Sequence, residues 1–127
     1  MKEKVYDLED RLVEFSVRIA DIVDNLPNTR LGNHIAGQLT RCGTAPALNY
    51  GEAQGAESRD DFIHKLKVVL KELKETRICL KIITRKQLIK DNNLLSEITK
   101  EDEELIAIIF RSIQTAKNNN NQKTKQH

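Results

Sequence analysis

At 127 residues the chain is the length of one domain. Twenty-one Lys and Arg stand against 19 Asp and Glu, a formal charge of +2, which excludes a histone-like or ribosomal-tail polycation and equally an acidic solvating tail. With 39% apolar, 31% charged and 4% aromatic residues, five Gly and two Pro, the sequence is too apolar for global disorder and too poor in aromatic and turn residues for an all-β sandwich or barrel.

The first predicted element runs from about Asp7 to Leu26. Leu8, Leu12, Phe15, Ile19, Ile22 and Leu26 recur at alternating steps of four and three, which places them on one helical stripe. Val13 and Val23 widen it, and Pro27 ends it because proline lacks a donor and disfavours α geometry in the preceding residue.

A second helix starts near Asn28 or Thr29, either of which can cap it. Leu31, Ile35, Leu39 and Cys42 carry its stripe, but the segment is crowded with Gly and Ala, and Pro46 removes one intrahelical hydrogen bond. The reading is a single bent helix, closely packed because small residues let backbones approach.

The third helix opens at Ser58, a cap with Asp61 in the capping-box position. Phe62, Leu66, Val69, Leu73, Thr76, Leu80 and Ile83 then form a sustained heptad seam that predicts a helix to Arg85 or Lys86. Gln87 to Asn93 read as a connection. A fourth helix covers about Leu94 to Lys117, with a break near Thr99 or an exposed end where Glu101, Asp102, Glu103 and Glu104 interrupt the stripe. The predicted architecture is all-α: an antiparallel up-down-up-down four-helix bundle over residues 1–117, its second helix kinked by proline, and a disordered Asn/Lys-rich tail over 118–127.

Cys42 and Cys79 have neither metal-ligand spacing nor a disulfide framework and read as buried free thiols. The opening MKEKVYDLEDR has no apolar core of a signal peptide, and no apolar run approaches a membrane span, so a soluble cytoplasmic protein without membrane contact is expected. His34 and His64 lack partners at metal spacing, and no phosphate-cradling loop, zinc-protease motif or nucleophile elbow occurs. The expectation is a protein that is not an enzyme and needs no cofactor and no metal.

Charge is distributed unevenly. Residues 1–26 carry four Lys/Arg against seven Asp/Glu, whereas residues 59–90 carry ten against four. Within the latter, Lys67, Lys71, Lys74, Lys81 and Arg85 follow helical spacing. They make a candidate phosphate-tracking ridge for RNA or DNA, without the interleaved aromatics that base stacking requires. The plainer alternative is a solvated helix face, paired through Glu72 and Glu75 or with the acidic first helix. Pro46, Asn49, Glu52 and Arg59 form a second candidate set, either lining a subunit interface or compensating the proline, with Asn49 and Glu52 answering freed backbone groups or pairing with Arg59 or Arg77.

The stretch TAPALNYGEAQGAESRDDFIHKLKVVLKELKETRICLKII resembles the signature of the four-helix-bundle proteins encoded in intervening sequences of bacterial 23S ribosomal RNA genes. The shared pattern is a second helix with Pro46, Asn49 and Glu52 beside Gly51 and Gly55. A third helix follows that opens on Ser58 and Phe62 and continues into Glu72 to Glu75. The likeness covers about residues 5–117 and is specific over 45–83; Tyr50-Gly51 stands where the commoner form has an Ile-Ala pair, and the Asn-rich tail has no counterpart. The resemblance implies a homopentamer of four-helix subunits. It also implies kinship with an accessory factor of the reverse transcriptase of diversity-generating retroelements, which is thought to bind nucleic acid through basic surface. Two functions are therefore expected in competition: a non-enzymatic oligomer associating with structured RNA through the basic ridge, or a scaffold that docks a partner protein and has no nucleic-acid role.

Overall fold

The computed structural model describes residues 7–125, with side chains as far as Asn119. Four helices follow one another: α1 (Leu8–Asp24), α2 (Arg30–Gln54), α3 (Arg59–Lys86) and α4 (Asn92–Lys125). α1 packs on α2 and α4, and α3 packs on the same two, so helices adjacent in sequence are adjacent in space and α1 and α3 stand at diagonal corners. This is the up-down-up-down bundle, because connections this short force antiparallel neighbours. Among the described residues no helix is long and apolar enough to cross a membrane.

Each helix starts on an oxygen that satisfies an otherwise orphaned amide. Asp7 accepts from Glu9 (3.0 Å), Thr29 from Gly32 (3.0 Å), Ser58 from Asp61 (3.1 Å) and Asp91 from Leu94 (3.0 Å). α3 ends on Gln87, which takes the left-handed conformation at φ 56°. That turn lets the Gln87 and Leu88 amides donate to Thr84 and Ile83.

The seams expected from the sequence meet in one core. Leu12, Phe15, Ile19 and Ile22 of α1, Leu39 and Cys42 of α2, Leu66, Leu73 and Leu80 of α3, and Ile98, Leu105 and Ile109 of α4 are buried together in it. α2 passes through Pro46 as one continuous helix. Just before it, the Ser16 hydroxyl of α1 is placed 3.2 Å from the Gly43 carbonyl and 3.0 Å from that of Leu12. Gly43 faces the side chain of Ile19 across this contact. A Cβ there would stand 2.6 Å from Cγ2 of Ile19, a fully buried side chain that cannot swing aside.

One expectation about α4 is corrected: it does not break near Thr99, and the acidic run stays helical, with Glu101 and Glu104 turned to Arg11 of α1. The helix extends to Lys125. Gln126 and His127 lie outside the described residues. The rods are unequal, about 26 Å for α1 against about 51 Å for α4. Accordingly the accessible surface is 8427 Å², above the about 6,900 Å² of a compact monomer of this mass.

Gly43→Ala should lower stability by about 1–3 kcal/mol through overpacking against Ile19, read as a lower urea midpoint at unchanged slope. Gln87→Gly should raise it by about 1 kcal/mol, since glycine adopts positive φ without the Cβ penalty.

Candidate nucleic-acid interface

The buried seam of α3 (Leu66, Leu73, Leu80) fixes what the rest of that helix presents to solvent. At 100° per residue, Lys67, Lys74, Lys81 and Arg85 fall on one outward stripe and Lys71 beside it. All five side chains are exposed.

Where the chain's carboxylates go decides the electrostatics. Glu72 and Glu75, the ridge's nearest acids, are both engaged from the other side by Arg41 of α2: Nη1 lies 3.1 Å from Glu72 and Nη2 2.7 Å from Glu75. Lys65 lies 3.7 Å from Glu52 and 3.9 Å from Asp61. The arginines of α1 pair with α4, Arg11 with Glu101 and Glu104 and Arg18 with Glu97 at 2.6 Å. Among the described residues, no carboxylate comes within ion-pair distance of Lys67, Lys71, Lys74, Lys81 or Arg85. The pairing through Glu72 and Glu75 offered by the plainer reading is therefore not formed, and neither is pairing with α1, which does not pack on α3.

The ridge is not purely polar. Its first half borders a shallow groove lined by Leu70 and Ile78 with Lys67, Lys71 and Lys74. Its second half borders one lined by Leu31, Ile78 and Ile82 with Lys81, Arg85 and Lys86.

The second candidate set does not come together. Pro46 is buried in the α2 seam, Asn49 is half-buried, and Glu52 is exposed and faces Lys65 rather than Arg59 or Arg77. Arg59 stands on the other flank of α3, in a groove with Phe62 and Arg111 of α4. Among the described residues neither Asn49 nor Glu52 is hydrogen-bonded to the Cys42 carbonyl that Pro46 leaves without its intrahelical donor, and Ser16 approaches the neighbouring carbonyl of Gly43.

Sequence reading missed two residues. Arg41 sits on the outer face of α2, and only the packing of α2 on α3 shows that it bridges two glutamates. Asp102 is fully buried, with no hydrogen-bond partner for either carboxylate oxygen among the described residues. Its signal was its place in the stripe, four residues after Ile98 and three before Leu105. Loss of hydration, reinforced by neighbouring Glu103 and opposed by Arg77, pushes its pKa up to about 8. Among the described residues no cluster of His, Cys, Asp and Glu could hold a metal ion.

A family model described as 23S rRNA-intervening sequence protein matches residues 5–111. Among solved structures, a protein of unknown function from the S23 ribosomal protein family of Bacteroides thetaiotaomicron is similar at a TM-score of 0.77 and 32% identity. The similarity covers 84% of this chain and 98% of that one. Comparison with curated proteins gives no match.

Asp102 makes stability pH-dependent. The folded state holds this proton up to about pH 8, whereas the unfolded chain releases it near the ordinary carboxylate value, so Asp102 costs progressively more stability as pH rises between the two. Asp102→Asn should flatten that decline and raise the urea midpoint at pH 8. An unchanged decline in the variant would show that another group causes it.

Proposed function

From the premise that the chain belongs to the 23S rRNA-intervening sequence protein family, we propose that it is a non-enzymatic, homo-oligomeric cytoplasmic bundle that associates with structured RNA through the α3 ridge. The observation that supports this reading is the charge of Lys67, Lys71, Lys74, Lys81 and Arg85, each exposed and none in an ion pair among the described residues. A row of cations at helical spacing, on a rigid rod about 42 Å long, is suited to phosphates along a duplex groove edge. With no aromatic on the ridge, contact is to backbone and shape rather than to bases. Repetition of the ridge around an assembly, a pentamer by family resemblance, multiplies a weak contact into an avid one.

A second reading is favoured by one specific observation. Ile78 is 52% exposed in the middle of the ridge, and apolar surface of that kind suits a protein partner better than a phosphate. The scaffold alternative therefore stays in competition, and charge reversal separates the two.

Filter retention of structured RNA should fall with salt at a logarithmic slope between about −2.7 and −4.5 for three to five phosphate contacts per subunit. Lys71→Glu with Lys74→Glu should abolish retention while leaving helicity unchanged. No retention at about 50 mM salt, where such contacts are strong, would remove the RNA reading. A partner protein that still binds the double variant would favour the scaffold.

A further inference from the structure

Resting on the oligomeric part of that reading, we infer that copies of this chain join head to tail, the outer face of α1 of one copy seating on the α3 groove of the next. Two surfaces carry the inference. On α1, Val13 and Val17, one helical turn apart, are 47% and 51% exposed. Glu9, Glu14, Asp21 and Asp24 are exposed along the same helix, and none of the four has an ion-pair partner among the described residues. On α3, Ile78 and Ile82, also one turn apart, stand over Leu31 and are rimmed by Lys81, Arg85 and Lys86. Each surface is thus an exposed β-branched pair inside a rim of one sign, and the signs are opposite.

One copy cannot join them. α1 and α3 occupy diagonal corners of the bundle and do not pack on each other, so each must meet its complement on another molecule. The apolar pairs match in spacing, about 6 Å along each helix. The flanking acids then face Lys81, Arg85 and Lys86, where opposite charges set register and orientation more than affinity. Lys67, Lys71 and Lys74 lie nearer the N-terminus of α3 and remain clear for phosphates, so in the assembly these three carry the RNA contact and Lys81 and Arg85 serve the joint between copies.

The α2 flank of the acidic face supports a close approach. The Ser16–Gly43 contact sets α1 and α2 in register, so Val13 and Val17 lie level with Leu48 and Thr44. Leu48 is 70% exposed, and farther along α2 the spaces above Gly37 and Gly51 are open. A glycine inside a helix costs about 1 kcal/mol relative to alanine, and nothing within the chain requires one at either position. Because the joined surfaces differ, the contact is heterologous: it repeats from copy to copy until a ring closes.

The test uses two single variants of the full chain, Val17→Lys and Ile82→Glu, both at exposed positions where circular dichroism should remain that of the wild type. Each variant destroys one side of the contact and keeps the other. Native mass spectrometry at micromolar concentration should show the wild type as an oligomer and each variant alone as the 14.6 kDa monomer. A 1:1 mixture should give a heterodimer of twice that mass, since one intact contact is restored. A monomeric wild type, variants that keep the wild-type mass, or a mixture that stays monomeric would each overturn the inference. RNA retention reports separately: an assembled wild type that fails to retain RNA removes the nucleic-acid reading alone, whereas a monomeric wild type that retains it removes this inference together with the oligomeric part of the proposed function and leaves the nucleic-acid part standing.

Discussion

Arg41 determines the electrical character of the molecule. From α2 it reaches across the seam and engages Glu72 and Glu75 together, and Glu75 stands four residues after Lys71, where it could otherwise pair along α3. A guanidinium can do this because its planar fork presents several donors at fixed angles, where an ammonium would act as a single point charge. The pair energies themselves are modest, since Glu75 and Arg41 are partly exposed and screened by solvent. The consequence lies in allocation. With Glu72 and Glu75 of α3 turned to α2, and Glu97, Glu101 and Glu104 of α4 turned to Arg18 and Arg11 of α1, the positive charge of α3 and the negative charge of α1 are left at opposite corners.

That separation depends on the seam that sets α2 in place. Gly43 lets α2 come within contact of Ile19, and the Ser16 hydroxyl of α1 approaches the Gly43 carbonyl in the same seam. The close α1–α2 approach fixes which face of α2 turns to α3, and hence where Arg41 points. Packing and surface charge are therefore one problem in this protein.

Asp102 works against the fold it sits in. Its carboxyl lies in the core with its oxygens unanswered by hydrogen bonds, and Arg77 nearby has a buried Nε in the same condition. A well-packed leucine in its place would suit the seam better, because burying an ionisable group costs more than its neighbours return. Helical periodicity carries the chain through this defect, as the adjoining Ile98, Leu105 and Ile109 supply enough buried surface to hold the register.

The amino-acid sequence by itself determined the four helices, the cap at Ser58 and a cap at Asn28 or Thr29, the buried seam from Leu66 to Ile83 and the concentration of cations on α3. These are properties of local spacing: a period near 3.6 and a side-chain oxygen before the first turn act within a few residues of each other. The length of α4 was less legible, because composition argues for disorder after Lys117 while helix propagation favours continuation. Only the tertiary structure decided which charges are cancelled and which are left over. Glu75 stands four residues after Lys71, the spacing of a helical ion pair, and nothing in the neighbourhood of Glu72 or Glu75 foretells Arg41, 31 and 34 residues away. Ion pairing is settled by distance in space between side chains brought together by packing, and a linear pattern carries no record of that distance.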